Sequence, residues 1–100
     1  MYSVMRHYQG QNELAAELKK HGKEIEKLMS GVPGFIAYYL IHNSEGTTAV
    51  TVCDNRKGCD ESTKLAADWL HKNLPNLKLN PPRVVTGEVQ LAFDRTHAAV

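Results

Sequence analysis

The spacing of apolar positions changes period along the chain, and each change marks an element. Tyr2 to Tyr8 carries β-branched, aromatic and long side chains with no glycine or proline, a strand pattern that Gly10 ends. Leu14, Leu18, Ile25, Leu28 and Met29 then recur at helical spacing, with Ala15 on the flank of the stripe. Lys19, Lys20, Lys23, Glu24, Glu26 and Lys27 fill the opposite, solvated face. Asn12 is suited to cap this helix, and Glu13 in the first turn suits its positive end. Gly22 weakens the middle by about 1 kcal/mol relative to alanine, which predicts a bend or a close contact there. Ser30-Gly31-Val32-Pro33-Gly34 stops the helix and turns the chain.

Phe35 to His42 has strand composition, Asn43-Ser44-Glu45-Gly46 is a turn, and Thr47 to Asp54 is a second strand. Two strands this close predict an antiparallel hairpin. A polar loop, Asn55 to Cys59, leads to Asp60 as N-cap of a second helix with its apolar stripe at Leu65, Ala66, Trp69, Leu70 and Leu74. Pro75 closes it. After a loop over Asn76–Pro82, Val84 to Phe93 alternates as a last strand. The order is β-α-β-β-α-β, the α+β, ferredoxin-like arrangement: a four-stranded antiparallel sheet with two helices on one face. Residues 1–93 form one domain and 94–100 a polar C-terminal tail.

A half-exposed strand should alternate apolar with polar. The second strand is apolar on both sides: Phe35, Ala37, Tyr39 and Ile41 against Ile36, Tyr38, Leu40 and His42. Helices cover one face of a sheet only. We therefore expect Phe35, Ala37, Tyr39 and Ile41 beneath the helices, and Ile36, Tyr38 and Leu40 against a second copy packed sheet to sheet. Burial contributes about 1.5–3 kcal/mol for each such side chain. In the last strand the apolar set Val85, Val89 and Leu91 is expected under the helices, which sends Thr86, Glu88 and Gln90 to the dimer side, with Glu88 at its rim. The sequence leaves the facing of Arg6 and His7 open.

Composition narrows the function. The 100 residues are 42% hydrophobic and 23% charged, ordinary for one soluble domain. Twelve Lys+Arg against eleven Asp+Glu leave +1, too little for an electrostatic grip on nucleic acid or anionic lipid. No apolar run reaches the roughly 18 residues of a membrane helix, and no signal peptide is read at the N-terminus. Cys53 and Cys59 lack disulfide-framework or CxxC spacing and read as free thiols in a reducing cytoplasm. His7, His21, His42, His71 and His97 form no metal-binding motif, so neither metal nor cofactor is expected. Gly34-Phe35-Ile36-Ala37-Tyr38 superficially resembles the aromatic motif of ferredoxin-like RNA-binding domains. It lacks the leading basic residue and falls on the second strand rather than the third.

The element order, the Val32-Pro33-Gly34-Phe35 turn into Ala37-Tyr38-Tyr39 and the Trp of the second helix resemble the dimeric α+β barrel proteins, relatives of the antibiotic-biosynthesis monooxygenases. A closer similarity is to small uncharacterised bacterial proteins of that superfamily, through Pro33 to Tyr39, Glu61 to Leu70 with Asn73-Leu74, and Gly87-Glu88-Val89. The likeness spans roughly residues 2–93 and implies a homodimer with a pocket between sheet and helices. Trp69 lies where haem-degrading relatives also place a Trp. Their first-strand Asn is replaced here by the stretch Arg6-His7-Tyr8, and their haem-ligating His by Leu77-Lys78-Leu79-Asn80, which counts against haem degradation.

The candidate pocket therefore combines Tyr39 and Trp69, stacked on a planar hydrophobic ligand, with Arg6 or His7 as polar handle. A cofactor-independent oxygenase would use His7 or Tyr8 to orient or deprotonate its substrate. The alternative is a non-catalytic, stress-associated or interaction dimer that binds its partner through the loops Asn55–Cys59 and Asn76–Pro82.

Overall fold

In a computed structural model of the chain, residues 1–95 are described; of the tail expected over 94–100, residues 96–100 lie outside the described residues. The elements run β1 (Tyr2–Gln9), α1 (Leu14–Lys20), α2 (Gly22–Ser30), β2 (Phe35–Asn43), β3 (Gly46–Cys53), α3 (Arg56–Asn73) and β4 (Arg83–Glu88). The strands form one sheet in the order β2-β3-β1-β4, antiparallel throughout. The helices cover one face, so this is the expected ferredoxin-like α+β fold. Leu14, Leu18, Ile25, Met29, Tyr8 and Leu70 make the main core, and Val4, Val32, Cys53 and Cys59 a second cluster.

Four local expectations are corrected. The first helix is two: the ladder breaks at His21, which ends α1 and begins α2 beside Gly22, while the buried stripe continues from Leu18 to Ile25. Asn12 does not cap α1; Glu13 holds that position, with no side-chain bond. Helix α3 starts at Arg56, not Asp60, because the Asn55 side chain accepts from the Gly58 N–H at 3.1 Å. Gly58 is needed there: a Cβ would stand 2.7 Å from the Pro33 carbonyl oxygen and 2.9 Å from Cys53 Cβ. The early start seats Cys59 and Ser62 on the sheet. Last, β4 stops at Glu88, and only the Val89 N–H continues its line, donating to the Met1 carbonyl at 2.9 Å.

The faces of β2 and β4 are the reverse of those expected. In β2 the pairing runs Phe35↔Cys53 and then Ala37↔Val52, so Ile36 is an extra, bulged residue. One extra residue shifts every later side chain to the opposite face. Tyr38 and Leu40 consequently join Phe35 against the helical core, while Tyr39 and Ile41 stand exposed on the open face and Ile36 sits exposed at the bulge. In β4, Val84 pairs with the buried Arg6 and Tyr2 with Glu88, which puts Val84, Thr86 and Glu88 on the helix side and Val85 on the open one. Tyr38, Leu40 and Glu88 are thus not on the face for which a dimer contact was expected.

Candidate functional site

Register decides what each face offers. Strand β3 sends Thr47, Ala49, Thr51 and Cys53 under the helices and Thr48, Val50 and Val52 to the open side. Strand β1 sends Val4, Arg6 and Tyr8 under the helices. The small β3 residues leave room for the long Arg6 side chain, which is 1% exposed. Its Nη1 donates to Ser62 Oγ (3.2 Å) and Thr63 Oγ1 (3.3 Å), and its Nη2 to Thr51 Oγ1 (2.8 Å). Ser62 Oγ can accept because its own proton goes to the Cys59 carbonyl at 2.7 Å. Arg6 Nε, also buried, has no partner among the described residues. Neutral hydroxyls thus hold a buried guanidinium, and burial pulls its pKa down. A charge so placed carries a desolvation penalty of several kcal/mol (order of magnitude) that only part of its hydrogen bonding offsets.

Two spaces meet at Arg6, Tyr8 and Leu70. One, lying between sheet and helices and bordered by Tyr38 and Trp69, has a volume of about 20 Å³, room for about one water. The other is a cleft of about 460 Å³ between α3, the 74–82 segment and β4. Leu74, Leu77, Leu79 and Pro82 wall it, and Arg6 and Tyr8 lie at its floor. Burial pushes the Tyr8 and Tyr38 phenols up, so both remain hydroxyl donors at neutral pH.

The expected pocket residues do not come together. Arg6 and Trp69 are on the helix side, whereas Tyr39 and His7 are on the open face. His7 Nε2 donates to Gln9 Oε1 at 2.9 Å, which leaves Nδ1 to accept from Thr48 Oγ1 at 2.7 Å. Trp69 turns its Nε1–H outward to Glu24 Oε2 at 2.9 Å, and the His21 ring stands edge-on to it at 5.2 Å. It joins α2 to α3 and borders the smaller space. That space is far below haem size, and His71 at the cleft rim is the lone histidine among the cleft's lining residues, so the residues present do not fit a haem centre. Sequence reasoning missed the 74–82 wall of the cleft; its signal was Leu74, Leu77 and Leu79 among the prolines.

Cys53 and Cys59 are free and buried. Burial raises both thiols, Cys53 to about 11, which keeps them protonated as core residues at neutral pH. Among the described residues no group of His, Cys, Asp or Glu could hold a metal ion, and no helix is long and apolar enough to cross a membrane.

The open face carries a different pattern. Tyr39 pairs with Val50, Val50 with Met5, and Met5 with Val85, one apolar row across all four strands. Tyr39 is 59% exposed, Met5 47% and Val85 53%.

No family profile and no curated protein matches the chain. Solved structures do. The haem degrader MhuD of Mycobacterium tuberculosis, solved with two haems in its active site, superposes with a TM-score of 0.69 at 16% identity over 94% of this chain and 100% of that one. A monooxygenase from the ActVA-Orf6 gene of Streptomyces coelicolor, in complex with nanaomycin D, gives 0.63 at 14% identity over 92% and 88%. A dimeric ferredoxin-like protein from an uncultured marine organism gives 0.60 at 19% identity over 94% and 96%. The chain thus has the ferredoxin-like α+β fold that these solved structures share.

Proposed function

We propose that two copies of this chain pack their open sheet faces about a two-fold axis, and that each binds a small hydrophobic or aromatic molecule in the cleft beneath α3. The dimer reading rests on the Tyr39–Val50–Met5–Val85 row. A continuous apolar row across a sheet is a surface that monomers rarely leave wet. Leu91 and Phe93, exposed beyond β4, add apolar area that a second copy would cover. The likeness to a dimeric protein of the same fold supports the same assembly.

The observation that carries the ligand reading is the cleft itself: about 460 Å³ with leucine and proline walls and a polar floor. Ligand sites have this size and this mixture of apolar wall and few polar groups. Solved proteins of this fold hold nanaomycin D or haem, which supports a ligand-binding role here. Tyr8, with its proton held by burial, serves as a hydrogen-bond donor at the cleft floor. We assign the cleft to binding, in a cytoplasmic dimer without a resident cofactor. Titration with the neutral fluorophore N-phenyl-1-naphthylamine tests it. We expect saturable binding at one site per chain, abolished by Ala67→Trp, which fills the cleft wall. Absence of saturable binding to the wild type would overturn the reading.

A further inference from the structure

We infer that the molecule held in the cleft carries an anionic oxygen group, a carboxylate being the best match, and that the Arg6 guanidinium receives it. This rests on the cleft being a binding site. A guanidinium offers five N–H donors and a full positive charge. Arg6 places three of them on Ser62, Thr63 and Thr51, all neutral acceptors. The buried Nε–H has no partner, and no carboxylate lies within ion-pair distance of the group among the described residues.

Buried arginines are rarely left in that state, because the charge calls for a counter-anion. The surroundings supply none. No Asp or Glu lines either the smaller space or the cleft, so an entering anion meets no like charge on its way to Arg6. The positioning is also fixed before a ligand arrives: the Nη contacts hold the guanidinium plane, while the buried Nε–H has no partner among the described residues. A carboxylate takes two N–H bonds from such a plane at once, a geometry that a neutral amide cannot reproduce with the same charge pairing. The ligand class is therefore an amphiphilic acid, with its apolar body against Leu74, Leu77 and Leu79 and its acid group at the cleft floor.

Calorimetric titration of the whole chain with 2-naphthoate and with its neutral isostere 2-naphthamide at pH 7 tests this. We expect the acid to bind at least about tenfold more tightly, and the Arg6 Nε–H resonance to shift on its addition. In Arg6→Met that retains the wild-type circular dichroism spectrum, the preference of acid over amide should vanish. Equal affinity for the two naphthyl compounds, preference for the amide, or binding of the acid without movement of the Nε–H signal would each overturn the inference. If neither naphthyl compound binds, it also fails, and N-phenyl-1-naphthylamine then separates the cases: binding leaves the cleft reading standing, and no binding removes that as well. The comparison of acid and amide on the wild type decides the matter even if Arg6→Met does not fold.

Discussion

The two faces of the sheet invert the usual distribution of polarity. Beneath the helices, where a sheet normally buries its most apolar side chains, stand Arg6, Thr47 and Thr51, with Ser62 facing them from α3. On the open side, where polar residues are ordinary, runs the row Tyr39, Val50, Met5 and Val85. Each face departs from what a lone, ligand-free domain needs, and each departure has its own remedy. In the proposed dimer a second copy would dry the apolar row, and the proposed anionic ligand would answer the buried cation. On that reading the sheet is a partition between an assembly surface and a binding chamber.

The largest effect should come from attacking the open face. Tyr39→Glu combined with Val50→Glu places carboxylates in the proposed interface, and dimer dissociation should become easier by on the order of a hundredfold or more. Sedimentation at several loading concentrations reads this directly. The helices should stay folded by circular dichroism, since neither side chain faces them.

A smaller effect of opposite sign is expected on the helix side. Arg6→Met removes a buried charge that only hydroxyls compensate, and should raise the unfolding free energy of the ligand-free protein by about 1–2 kcal/mol. Urea denaturation checks it. A loss of stability would mean that the hydroxyl contacts already satisfy the arginine, and the contrast between the faces would weaken.

The third effect is alkaline. Tyr8 and Tyr38 hold their protons above the ordinary phenol value of 10.0, and Cys53 holds its proton to about 11 against an ordinary 9.0, with Cys59 raised as well. In each case the unfolded chain ionises first. Their stabilisation is whole below pH 9 and is lost as the pH rises through 11 and above. The melting temperature should fall across that window in wild type, and fall less in Tyr8→Phe/Tyr38→Phe.

The fold was legible because its signals are local: strand composition in Tyr2–Tyr8, the helical stripe from Leu14 to Met29, and turn residues at Ser30–Gly34. The site was less so, and the reason is parity. An apolar strand such as β2 gives no clue to its facing, and the single bulged Ile36 exchanged Tyr38 and Leu40 for Tyr39 and Ile41. Strand β4 failed differently. Its more polar set was expected outward, yet Thr86 and Glu88 face the helix side, because pairing with β1 sets their direction. Arg6 was named as a handle from residue type alone. That it is buried without a counter-anion follows from Thr51, Ser62 and Thr63, which lie 45 to 57 positions away.

Both remedies depend on the inverted sheet, and the assembly half can be measured on the wild-type chain without a ligand. Sedimentation velocity at micromolar concentration should show one species of twice the 11.2 kDa chain mass. A well-folded species at the single-chain mass, unchanged as concentration rises, would contradict the account.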